Sequence, residues 1–154
     1  MNPRKRFGGF TLIELLITIA IVAILASAAR PLSELNVKRA KELELRRALR
    51  EIREGLDAYR QASEDGRIER GTGNSGYPPS LDVLVQGTPD RRNPKAQRMY
   101  FLRRIPRDPM TPDGQWGLRS YASPPDSPAE GDDVYDVYTR SDGTGINGKP
   151  YREW

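Results

Sequence analysis

GFTLIELLITIAIVAILASAA, residues 9–29, is the stretch on which the reading of this chain turns. From Phe10 to Ala29 only Thr11, Glu14, Thr18 and Ser27 are polar. At about 1.5 Å per residue, a helix of that length covers about 30 Å, the thickness of a bilayer's hydrocarbon core. The pattern predicts a membrane helix over residues 10–30 with one carboxylate inside it. A carboxylate there costs about 2.5 kcal/mol or more, so Glu14 demands a positive partner rather than lipid. Ahead of the run stands MNPRKRFGG, residues 1–9, a short basic leader ending in two glycines. Arg4, Lys5 and Arg6 should stay on the cytoplasmic side, which sends everything after Arg30 across the membrane.

Two simpler readings compete. In one, the run is an ordinary secretory signal cut near Ala26-Ser27-Ala28, releasing a soluble exported module. The apolar stretch exceeds the roughly 7 to 15 residues of such a signal core, and it carries a carboxylate. In the other, the run is a plain anchor, and the cost of Glu14 goes unexplained.

With 154 residues the chain has room for one domain of ordinary size. It contains no cysteine and no histidine, which excludes thiol nucleophiles, disulfides, serine–histidine relays and the usual zinc sites. The expectation is that it is not an enzyme. The net charge is +4, and removing the leader's three cations leaves a single positive charge. The remaining cations alternate with Asp and Glu, so no basic face suited to nucleic-acid phosphates is expected.

Beyond Pro31, a residue able to bend a helix, periodicity resumes. Leu45, Leu49, Ile52, Leu56 and Tyr59 recur at spacings of four and three, the core-facing stripe of an amphipathic helix over residues 31–65. Arg47/Glu51, Arg50/Glu54 and Arg53/Asp57 fall at i,i+4 on its outer face. Fewer than three clean heptads favour packing on its own domain over a coiled-coil seam. Gly66 is a stop signal.

Residues 66–98 read as loops around a short helix, Leu81 to Val85, with Ser80 as its N-cap. Residues 99–154 read as a β-sheet region. Tyr100 to Ile105 looks extended, and Trp116 to Tyr121 and Val134 to Thr139 look like strands joined by a long hairpin connection. Asp132, Asp133 and Asp136 are expected at a solvated hairpin end. Tyr151 and Trp154 are placed to pin the tail. The fold class is α+β, a long N-terminal helix packed on a small antiparallel sheet.

GFTLIELL at 9–16 behind a basic leader resembles the N-terminal signature of type IV pilins and of type II secretion pseudopilins. The resemblance implies cleavage between Gly9 and Phe10 by prepilin peptidase, N-methylation of Phe10, and Glu14 as the fifth mature residue. Pro31 sits where the family places its helix-bending proline. Phe10, Glu14 and Pro31 are then the assembly residues, with Glu14 pairing to the Phe10 amine of a neighbouring subunit.

YPPSLDVLV at 77–85, IPRDPMTPDG at 105–114 and VYDVYTRSDG at 134–143 are similar to the major pseudopilin of type II secretion. A type IV pilus subunit is the alternative. That resemblance implies a bacterial inner-membrane subunit with 31–154 as a periplasmic pilin-like domain. Its partners would be further copies of itself, minor pseudopilins and an ATP-driven assembly platform. It also implies calcium in the last loop, where only Asp142 and Asn147 stand ready; calcium wants about six to eight oxygens, so the expected site is weak.

Overall fold

The structure is a computed structural model that describes residues 9–70, 75–93 and 98–154, with the side chains of 28–33 also left aside. The basic cluster Arg4, Lys5 and Arg6 lies outside the described residues. The elements are α1 (Leu12–Glu64), α2 (Leu81–Gln86), β1 (Thr88–Pro89), β2 (Arg98–Met99), β3 (Trp116–Arg119) and β4 (Asp136–Thr139), closed by a 3-10 turn at Tyr151–Glu153. This is an α+β chain, a long N-terminal helix followed by small antiparallel sheets. It divides into two compact units, Met1–Arg39 and Ala40–Trp154.

In the second unit, the stripe foreseen on α1 is buried in full. Leu45, Leu49, Ile52, Leu56 and Tyr59, joined by Ala48 and Ala62, pack with Leu84, Leu102, Trp116, Val134 and Val137. Fully burying each large aliphatic side chain contributes about 1.5–3 kcal/mol, so this stripe is what fixes the helix on its domain. Gly66 follows α1 with φ of 68°, a left-handed conformation suited to a residue without Cβ, and the next amides cap the open carbonyls.

β3 and β4 pair antiparallel, Trp116 opposite Thr139 through Arg119 opposite Asp136. Their connection is the long one expected, tied by the Ser120 N–H to the Ala129 carbonyl at 2.9 Å. Alternate residues of β4, Val137 and Thr139, turn inward. The second pair, β1 with β2, lies where a loop was expected, while the Tyr100 to Ile105 segment forms no strand. There the Phe101 and Leu102 amides both donate to the Leu84 carbonyl, so the end of α2 takes them instead of a strand.

Three local expectations need correcting. Ser80 precedes α2 but its side chain makes no capping bond. Among the described residues the i,i+4 ion pairs Arg47/Glu51, Arg50/Glu54 and Arg53/Asp57 do not form; Arg60 with Glu64 does, at 2.8 Å. The third concerns Asp133, which is 8% exposed. It accepts hydrogen bonds from the Ser75 hydroxyl, from Ser120 Oγ at 2.7 Å and from the Tyr121 N–H at 2.9 Å. A hairpin end needs its buried donors satisfied, and this carboxylate is the acceptor that does it.

Candidate processing and assembly site

The first unit is built from the apolar run. Its large side chains are exposed on every side: Phe10 at 77%, Leu12 at 79%, Ile17 at 53% and Leu25 at 66%. Exposed apolar surface of this extent is the mark of a segment that meets a partner or a membrane. Among the described residues no helix is long and apolar enough to cross a membrane. The last apolar residues, Ala28 and Ala29, fall in the part whose side chains are not described.

The polar side chains of the run behave unequally. Thr18 Oγ1 donates to the Leu15 carbonyl at 2.9 Å and Ser27 Oγ to the Ile24 carbonyl at 2.7 Å. Thr11 stands one residue before α1, and its hydroxyl accepts the Glu14 N–H at 3.3 Å. Each hydroxyl is therefore engaged by the helix itself, which makes it tolerable in an apolar setting. The Glu14 carboxylate is the exception: among the described residues it has no ion pair and no side-chain hydrogen bond. Thr11 and Glu14 stand at the threonine and glutamate positions of a capping box, T-x-x-E, a signal present in the sequence and missed there. The carboxylate in the first turn also complements the helix dipole.

Gly9 precedes the helix and is exposed, and a Cβ built on it would meet nothing within 4 Å. Among the described residues nothing packs against that position closely enough to require glycine. Phe10 follows with its ring in the open. Pro31 lies within α1, but its side chain is outside the described residues. Gly9, Phe10 and Glu14 are thus brought together over less than two turns, on a helix end that no other described residue covers.

Asp142 and Asn147 are exposed in the last loop. Asn147 Oδ1 already accepts the Lys149 N–H at 3.1 Å, and Lys149 brings a cation to the same turn. Among the described residues no group of three or more acidic, histidine or cysteine side chains is placed to hold a metal ion. One carboxylate and one engaged amide do not fit calcium's oxygen requirement.

The tail is pinned through Tyr151 and Trp154, as the sequence suggested, and the partners on α1 that hold them are what the sequence reading missed. Glu42, on the buried side of α1, accepts the Ile146 N–H at 2.8 Å and the Tyr151 hydroxyl at 2.9 Å. Burial and this carboxylate push the Tyr151 hydroxyl up to about 12. Arg53 grips Asp136 through Nε at 2.7 Å and the Trp154 carbonyl at 2.9 Å, and Arg46 lies 4.4 Å from the Trp154 ring. A carboxylate three residues before Leu45, in line with the apolar stripe, was the available sign for Glu42.

The chain is thus α+β and led by an apolar helix, with a carboxylate in the first turn that has no partner among the described residues. Residues 4–29 match the model of the prokaryotic N-terminal methylation motif. That motif is a type IV pilin-like signal, and it marks a precursor of the kind prepilin peptidase processes. No curated protein and no solved structure matches the chain.

Proposed function

We propose that this chain is a structural subunit of a type II secretion pseudopilus. Prepilin peptidase cuts between Gly9 and Phe10 and methylates the new amine. Residues 10–30 hold the subunit in the bacterial inner membrane with residues 31–154 in the periplasm. An assembly platform driven by its ATPase then stacks copies, together with minor pseudopilins, into a filament that aids protein export. The subunit itself catalyses nothing in this reading.

The observation that carries it is the lone unsatisfied carboxylate of Glu14 inside the segment matching the methylation motif. Cleavage creates the missing counterpart, the Phe10 amine, and a neighbouring copy displaced along a fibre can present it. Unpaired subunits then carry the cost of a bare charge in an apolar setting, and paired ones do not. Gly9 fits a protease that approaches the backbone closely, since no described residue packs where its side chain would stand.

The mass of the mature N-terminus tests this directly. A chain beginning at methylated Phe10 supports it; a chain beginning after Ala28, or retaining residues 1–9, overturns it. Glu14→Gln should enter the membrane at the level of the parent and lose most filament yield, and parental yield would show that the carboxylate is not used. The absence of cysteine separates this chain from pilus subunits that close a loop with a disulfide and favours the pseudopilus over a type IV pilus. Exoprotein release against twitching motility, measured in a strain lacking the chain, separates the two.

A further inference from the structure

The outer face of α1 in the second unit carries a charge pattern that its own domain leaves unused. Arg47, Arg50, Glu54 and Asp57 step along the helix at spacings of three, four and three, and all four are exposed. They run opposite the buried stripe of Leu45, Leu49, Ile52 and Leu56. Among the described residues none of the four takes part in an ion pair, although Arg47/Glu51 and Arg50/Glu54 stand at a spacing that allows one. The cations that could neutralise Asp57 from within the helix are both committed, Arg53 to Asp136 and Trp154 and Arg60 to Glu64.

The pattern complements itself at one displacement. Arg47 to Glu54 is seven residues, and Arg50 to Asp57 is also seven. Two parallel copies offset by two helical turns, about 10.5 Å, set both arginines of one against both acids of the other at once. At zero offset the same stripes place arginine on arginine and acid on acid, which is repulsive.

We propose that this stripe is an interface between copies of this chain, and that it sets their axial register at about seven residues. The proposal rests on the filament reading, which supplies the parallel orientation. The amine at Phe10 and the carboxylate of Glu14 tolerate a range of offsets, because Phe10 precedes the helix. A second, two-pair match further along α1 narrows that range. Exposed pairs are individually small and screened by salt, so the effect depends on repetition along the fibre.

Charge reversal tests it in the full chain expressed with its assembly machinery. Arg47→Glu with Arg50→Glu should reduce filament yield several-fold, as should Glu54→Arg with Asp57→Arg. The fourfold swap, which restores complementarity, should recover most of the loss. Unchanged thermal unfolding in each variant keeps folding out of the comparison. Because the parent has no cysteine, register can be read by coexpressing two single-cysteine variants. Arg47→Cys should crosslink to Glu54→Cys of another copy in preference to a second Arg47→Cys.

Parental yield from the double reversals overturns the proposal, as does a swap that fails to recover. So does a dominant crosslink between two Arg47→Cys chains, or between Arg47→Cys and Asp57→Cys, the antiparallel match. A parent that is never processed and forms no filament sinks the filament reading instead, and the two failures are thereby distinguished.

Discussion

Glu42 and Glu14 show how one residue type serves opposite ends at different depths. Glu42 is buried and engaged: its Oε1 accepts both the Ile146 N–H and the Tyr151 hydroxyl. Removing it leaves the buried Tyr151 hydroxyl and the part-buried Ile146 N–H without their acceptor, at about 1–3 kcal/mol. Glu42→Ala should therefore lower the melting temperature of the detergent-solubilised chain by several degrees, since 1 kcal/mol corresponds to about 3–5 °C at this size. Glu42→Gln, which keeps an acceptor, should cost less than half of that. The pair also has an alkaline signature. The Tyr151 hydroxyl sits near 12 in the folded chain against an ordinary 10.0, so its neutral form is what the fold stabilises. That stabilisation is whole below pH 10.0 and fades as the pH climbs toward about 12. Ultraviolet titration should find Tyr59 and Tyr151 both late, since burial raises each, and Tyr151 alone should move earlier in Glu42→Gln; an unmoved titration would mean that Glu42 does not hold the hydroxyl.

At the scale of elements, what was legible depended on how far apart the partners lie. The α1 stripe was readable because burial repeats every three or four residues and needs no knowledge of the partner. α2 and the β3–β4 hairpin were readable within a residue or two, from Pro78-Pro79 blocking any helix before Ser80 and from runs of β-formers. The charge pairing was not. Arg53 seemed to belong to Asp57 one turn on, yet its partner Asp136 is 83 residues away. That choice is understandable: at Asp136 the guanidinium makes two bonds to a half-buried carboxylate and a third to the Trp154 carbonyl, where an i,i+4 pair gains a few tenths of a kcal/mol. The contacts that hold the tail were not legible either, because they reach from the last residues back to Glu42, Arg46 and Arg53 on α1. Arg53→Lys keeps the charge but cannot reproduce the fork. It should loosen the tail by about 1 kcal/mol and raise amide exchange over residues 144–154; exchange equal to the parent's would refute this clamp.

For the molecule as a whole, two of the carboxylates that bind distant segments together titrate below the ordinary range, and acid should find them. Burial alone would raise the pKa of Asp133, but the hydrogen bonds from Ser75, Ser120 and the Tyr121 N–H outweigh it and hold the carboxyl down. At Asp90 the Arg67 guanidinium does the same, on a carboxylate whose side chain is 9% exposed. In each case the folded chain holds the proton less tightly than the unfolded one. The stabilisation is then fully present above the ordinary carboxyl value of 3.8 and is lost as the pH falls through the lowered folded one. Thermal unfolding of the second unit should accordingly be flat from about pH 7 to 5 and fall steeply below about pH 4. Asp133→Asn keeps the size of the side chain and removes its titration. That variant should be less stable near neutrality, because an amide satisfies three donors poorly, and its decline in acid should be shallower than the parent's. Parallel curves displaced by a constant amount would show that Asp133 fastens the hairpin end without its charge, and the acid sensitivity would then fall to Asp90 and the remaining carboxylates.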